Sequence, residues 1–115
     1  MTNEDIAEQL AVKVMGWYLD MVENEWGLRF YKGADGNVVM DIRLWRPAED
    51  LNQAVMCAEN SEYGWNLEHW KNRSPRTIAT IWRDEQPGEI VEIYGKHDNP
   101  ARALCEAVLM AVDNG

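Results

Sequence analysis

Ile6, Leu10 and Val14 recur at helical spacing near the start of the chain, with Thr2 and Asp5 in front of them as a capping box. Glu4 and Glu8 lie toward the positive end of the helix dipole. A first helix is expected from about residue 3 to Met15, stopping at Gly16. The pattern then changes period. Leu28 and Phe30, then Val38, Met40, Ile42 and Leu44, alternate with polar or exposed positions around the turn "GADGN", which predicts a β-hairpin. Pro47 suits a first helical position, and Leu51, Ala54, Val55 and Ala58 form an i, i+3, i+4, i+7 stripe, so a second helix is expected over 47–59.

Three strand candidates follow at 63–70, 76–83 and 89–94, separated by the turns "KNRSP" and "DEQPG". Asn99 as N-cap and Pro100 behind it open a last helix over 100–112, striped by Leu104, Val108, Ala111 and Val112. The expected order is α-β-β-α-β-β-β-α, with links short enough to favour antiparallel pairing. This is an α+β fold: one antiparallel sheet of four to five strands with three helices, in a single domain covering 1–115. The expected core is Leu10, Val14, Phe30, Ile42, Leu51, Val55, Leu67, Ile78, Ile81, Leu104 and Val108.

Four segments carry a resemblance: "LAVKVMGWYLD" at 10–20, "WRPAEDLNQAVMCAE" at 45–59, "NLEHW" at 66–70 and "NPARALCEAVLMAV" at 99–112. In this order they resemble the phage ABA-sandwich domain family, small proteins of phages and prophages in Bacillus-like hosts. The resemblance implies a three-layer α/β/α arrangement and a phage or prophage origin. It implies no activity, because none is established for the family. The chain departs from the pattern at Arg46, which precedes Pro47 where Ser or Asp is common, and this leaves the second helix without a strong N-cap.

Charge changes the picture. The chain carries net charge −9, and residues 1–62 alone hold 12 acids against 5 bases, a balance of −7. Such acidity argues against direct binding of a nucleic-acid backbone, which draws on a basic stripe. It suits a surface that mimics DNA or docks on a basic partner. No apolar run reaches the roughly 18 to 20 residues needed to span a bilayer, and the polar, acidic start does not resemble a secretory signal. A cytoplasmic location, in the host cell, is the expectation, without membrane association.

Candidate chemistry is sparse. His69 and His97 lack the spacing of a metal-ligand set, Cys57 and Cys105 form no CxxC and are expected to be separate reduced thiols, and Ser61 and Ser74 lie in turn contexts. Neither a cofactor nor a metal is expected, and no catalytic residue is assigned. What stands out is aromatic and cationic. There are six tryptophans, and Lys71, Arg73 and Arg76 bring three cations into one short turn next to Trp70. Trp70, Lys71, Arg73 and Arg76, with Trp65 and Trp45, are the candidate binding residues, because Trp and Arg supply hot-spot contacts and stacking faces. The plainer account of the same residues is a solvated hairpin turn and tryptophans in the core.

Three functions remain open on these grounds. The first is a non-enzymatic phage accessory protein that binds a host protein or a small nucleotide signal, as an anti-defence inhibitor. The second is an acidic DNA mimic. The third is a small enzyme acting on a phosphorylated molecule through Arg76, His69 and a carboxylate, which suffers because Glu68 and His69 alternate to opposite strand faces. Homo-oligomerisation is left open by the sequence. The helix stripe itself is testable: Leu104→Ala should cost roughly 2 to 5 kcal/mol in chemical unfolding, and a loss well below about 1 kcal/mol would place that stripe outside the core.

Overall fold

The computed structural model describes residues 1–20 and 22–113. The chain forms α1 (Asn3–Lys13), β1 (Tyr18–Leu19), β2 (Phe30–Lys32), β3 (Val38–Asp41), α2 (Leu51–Asn60), β4 (Gly64–His69), β5 (Thr77–Gln86), β6 (Glu89–His97) and α3 (Pro100–Asp113). The fold is α+β with three helices, as the periodicity predicts. The strands, however, form two antiparallel three-stranded sheets, β1-β2-β3 and β4-β5-β6, where a single sheet of four to five strands was expected. The element order also gains a strand. β1 is a two-residue edge partner for β2, too short for alternation to reveal it.

Local chemistry explains the element ends. Thr2 Oγ1 accepts from the Asp5 amide at 3.1 Å and Asp5 Oδ2 accepts from the Thr2 amide at 3.0 Å, completing the expected capping box. α1 stops at Lys13, two residues early, and the chain turns at Gly16 with φ of 72°, a conformation that costs a glycine little. The "GADGN" turn does close a hairpin, between β2 and β3: Gly33 N–H donates to the Asn37 carbonyl, and Asp35 accepts from the Asn37 amide, both at 3.0 Å. The turn after β5 needs only Pro87 and Gly88, so β5 runs on to Gln86, beyond the expected end.

α2 begins at Leu51 instead of Pro47. Asp50 is the N-cap, its carboxylate accepting from the Asn52 and Gln53 amides, while residues 47–49 make a separate turn onto the Arg46 carbonyl. The weak cap at Arg46 thus shifts the start by four residues to the nearest good capping side chain. The buried face shifts with it. Ala54, Cys57 and Ala58 face the core, and Leu51, expected inside, is 40% exposed.

α3 lies across β5 and β6, and α1 and α2 pack against α3. Ala101, Ala103, Leu104, Cys105, Ala107, Val108, Leu109 and Ala111 are all buried, so α3 is covered around most of its circumference. In the β4-β5-β6 register, Leu67 pairs with Ala79 and Ala79 with Gly95. A side chain at Gly95 would meet the backbone of α3: an added Cβ falls 2.1 Å from the Ala103 carbonyl oxygen and 2.8 Å from the Ala107 nitrogen. Helix and strand backbones touch at this point, with small Ala79, Ala103 and Ala107 around it.

The other face of this sheet carries Asn66, Glu68, Ile78, Trp82, Glu92, Tyr94 and Lys96. Ile78 is half-buried there, on the opposite face from Ile81, which is fully buried toward α3. The helix-sheet-helix layering implied by the family resemblance is replaced by helices gathered on one face of β4-β5-β6. Of the other residues expected in the core, Leu10, Leu104 and Val108 are fully buried, while Val14, Ile42, Val55 and Leu67 pack partly buried at its margin and Phe30 lies outside it.

At the far end of α3, the largely buried Arg83 donates from Nη1 to the Ala111 carbonyl and pairs through Nη2 with Glu85. A cation there meets the negative end of the helix dipole. The contact at Gly95 sets the sharpest expectation. Gly95→Ala should lower unfolding stability by about 3 kcal/mol or more, because rigid backbone, and not a yielding side chain, occupies the space. A loss below about 1 kcal/mol in urea titration would show that α3 slides freely over β6.

Candidate functional site

The turn between β4 and β5 is built by closing hydrogen bonds. Trp70 N–H donates to the Arg76 carbonyl at 2.7 Å, and residues 71–76 project as an exposed tip. Within it the Arg73 guanidinium lies over the Trp70 ring, 4.9 Å from its centroid. Such a cation–π pair holds both groups in place and still leaves guanidinium N–H groups facing outward. Among the described residues, Lys71, Arg73 and Arg76 form no ion pair.

The tip is anchored to the start of α3. The Arg76 amide donates to Asp98 Oδ1 at 2.9 Å, and Asn99 next to it caps α3 by accepting from the Ala101 amide at 2.9 Å. The anchor uses the Arg76 backbone, so its side chain is not part of it. Behind the tip, His69, Thr77 and His97 form one row across β4, β5 and β6. Thr77 is fully buried, and its hydroxyl lies 2.6 Å from His69 Nδ1. His97 Nδ1 accepts from the Asn99 amide at 2.9 Å. These contacts hold the two imidazoles to structural partners, and Glu68 faces away from His69, as strand alternation requires.

The structure separates the remaining sequence candidates from the tip. Trp65 is half-buried on the α3 side of β4 and donates from Nε1 to Glu59 of α2 at 3.1 Å. Trp45 is 2% exposed and belongs to the core; its indole donates to the Ala7 carbonyl of α1 at 2.8 Å and its ring meets Trp17 edge-on at 4.8 Å. Trp45 reaches the surface only as part of a groove beside α1. Trp26, which the sequence did not single out, is the most exposed tryptophan, at 76%.

The fold is shared with a phage protein. The 2.0 Å crystal structure of a phage protein from Bacillus cereus ATCC 14579 superposes with a TM-score of 0.65 at 17% identity, over 98% of this chain and 89% of that one. No protein-family model matches the chain, and no curated protein matches it significantly. At this identity the likeness is one of fold.

Among the described residues no group of three or more His, Cys, Asp or Glu could hold a metal ion, and no helix is long and apolar enough to cross a membrane. Cys57 and Cys105 are free and buried. Burial pushes the Cys57 thiol up to about 12, and burial, with the neighbouring Cys57 and Glu106, pushes Cys105 up as well. A protonated, enclosed thiol is a poor nucleophile. Alkylation by iodoacetamide at neutral pH should therefore leave both cysteines unmodified in the folded protein and modify both in denaturant, read by mass spectrometry; rapid labelling of the folded chain would contradict this burial.

Proposed function

We propose that the chain is a non-enzymatic phage accessory protein that uses the 71–76 tip to bind an anionic feature of a host component. That feature is an acidic protein surface or the phosphates of a nucleotide signal, and the binding would serve to inhibit a defence system. The observation that carries the reading is Arg73 held over Trp70 beside the unpaired Lys71 and Arg76. In a chain of net charge −9, the lower-energy place for lone surface cations is next to one of the many carboxylates. Six of the eight cations outside the tip follow that rule, Lys13 pairing with Asp113, Arg29 with Glu23, Lys32 with Asp20, Arg43 with Asp41, Arg83 with Glu85 and Arg102 with Glu106, while Arg46 and Lys96 form no ion pair among the described residues. A preassembled Arg–Trp pair also loses little side-chain freedom on binding, which is the character of an interface hot spot.

The shared fold with a phage protein supports the setting, and the resemblance of four segments to the ABA-sandwich domain family points the same way. The same local pairing counts against a DNA mimic. Three of the carboxylates in residues 1–62, Asp20, Glu23 and Asp41, are engaged by cations, and others, at Asp5 and Asp50, cap helices, which breaks up a continuous acidic face.

The double variant Arg73→Ala/Arg76→Ala separates binding from folding. Thermal stability should change by no more than about 1 kcal/mol, the size of an exposed cation–π contact, because the Arg76 amide that anchors the tip remains. Recovery of host proteins and metabolites in affinity pull-down should fall sharply, since charge-assisted contacts to an anion are lost. Undiminished recovery with the variant would sink the tip as the contact surface.

A further inference from the structure

A second surface lies on the other half of the chain and is opposite in character. A groove of about 390 Å³ runs between α1, the β1-β2-β3 sheet and residues 42–49, with Trp45 and Tyr31 in its lining. Glu4 and Glu8 of α1 and Glu49 contribute carboxylates, and Arg43 and Arg46 contribute guanidiniums. The two signs do not cancel. Arg43 is held by Asp41 through Nε and Nη2, the closest contact being 2.8 Å, whereas Glu4, Glu8 and Glu49 form no ion pair among the described residues. Arg46 directs Nε to the Arg43 carbonyl at 2.9 Å. Three unmatched carboxylates thus face one unmatched guanidinium.

The second observation is Tyr31. It is 5% exposed, its ring lies 6.2 Å from that of Trp17, and no hydrogen bond among the described residues involves its hydroxyl. Burial raises its phenol above the ordinary range, and the charge of Glu8 on the same groove raises it further. Glu8 and Tyr31 line the same groove. Among the described residues no buried side-chain oxygen lacks a partner, so the unpartnered Tyr31 hydroxyl is the part of the side chain that solvent reaches, and at the groove it offers both a donor and an acceptor to whatever enters.

We propose that this groove receives the ammonium of a lysine side chain presented by a protein partner, with Glu8 and the Tyr31 oxygen as acceptors and Glu4 and Glu49 as the surrounding field. An ammonium supplies three donors and no acceptor, matching a wall of carboxylates and a phenolic oxygen. Its methylene stem suits the Trp45 and Tyr31 rings below. The groove is open along one side, so a stem can enter while its backbone stays outside, and the net charge of −9 draws a basic partner from a distance.

The test follows the indole N–H resonance of Trp45, which is hydrogen-bonded to Ala7 at the groove, while the full chain is titrated with Nα-acetyl-lysine methylamide. The uncharged norleucine analogue, with the same stem, is the control, and putrescine represents a free diamine. The expected result is a saturable shift with the lysine compound, none with norleucine, and binding weakened about tenfold by Glu8→Gln, as loss of a charge-assisted contact implies. Tyr31→Phe should weaken binding about threefold while leaving the melting temperature unchanged, since no protein group loses a partner. Equal shifts with lysine and norleucine, or unaltered binding by Glu8→Gln, would overturn the site. Putrescine binding tighter than the lysine compound would overturn the protein partner in favour of a free diamine. Should Tyr31→Phe fail to fold, the exposed Glu8 variant still decides.

Discussion

The structure depends on one contact, the backbone of β6 at Gly95 lying directly on the backbone of α3 at Ala103 and Ala107. Any side chain at residue 95 would hold the two apart. With that distance fixed, α3 drops close enough to the sheet for Ala79 and Ile81 of β5 to be fully buried beside it. The helix is then short of side-chain bulk on its sheet side, and alanines fill that surface where leucines would be too large. Leu104, Cys105 and Val108 complete its burial, joined in one core cluster with Ile6 and Leu10 of α1 and Cys57 of α2. The ends of α3 are held as well, by Asn99 at its start and Arg83 at its last turn.

This arrangement accounts for where the two surfaces lie. The tip after β4 is tied to residue 98, one step before the α3 cap, so its position follows from the seating of the helix on the sheet. The groove depends on a different set of neighbours. Trp45 reaches from the segment before α2 to the Ala7 carbonyl of α1 and stacks edge-on with Trp17, which in turn lies near Tyr31 of β2. Three aromatic rings from three segments thereby join the small sheet to α1. One surface presents cations in an acidic protein, and the other presents carboxylates around an unpartnered phenol.

Much of the local structure was legible in the chain. The capping box at Thr2, the "GADGN" hairpin, the Asn99-Pro100 helix start and the three later strands each follow from groups that interact within a few residues. The same holds for the 71–76 turn and its exposure. The errors have a common origin. Leu28 and Phe30 alternate as a buried face should, yet it is Tyr31, the next residue and on the opposite face, that is buried, because β2 carries large apolar groups on both faces and alternation does not say which face is inward. Ile78 and Ile81 look alike in composition but three residues along a strand reverse the face.

What the sequence determined by itself is therefore the class of each long element, the caps and turns that bound most of them, and the cationic tip beside Trp70. All of these are set by short-range hydrogen bonding, backbone preference and periodicity. The tertiary structure alone decided that six strands form two sheets, that the helices gather against α3 on one face, that Trp45 leaves the candidate surface for the core, and that Tyr31 meets Glu4, Glu8 and Glu49 at one groove. Each of these joins residues distant in sequence, and burial of a strand or an aromatic ring is fixed by which partner covers it, information that no local spacing contains.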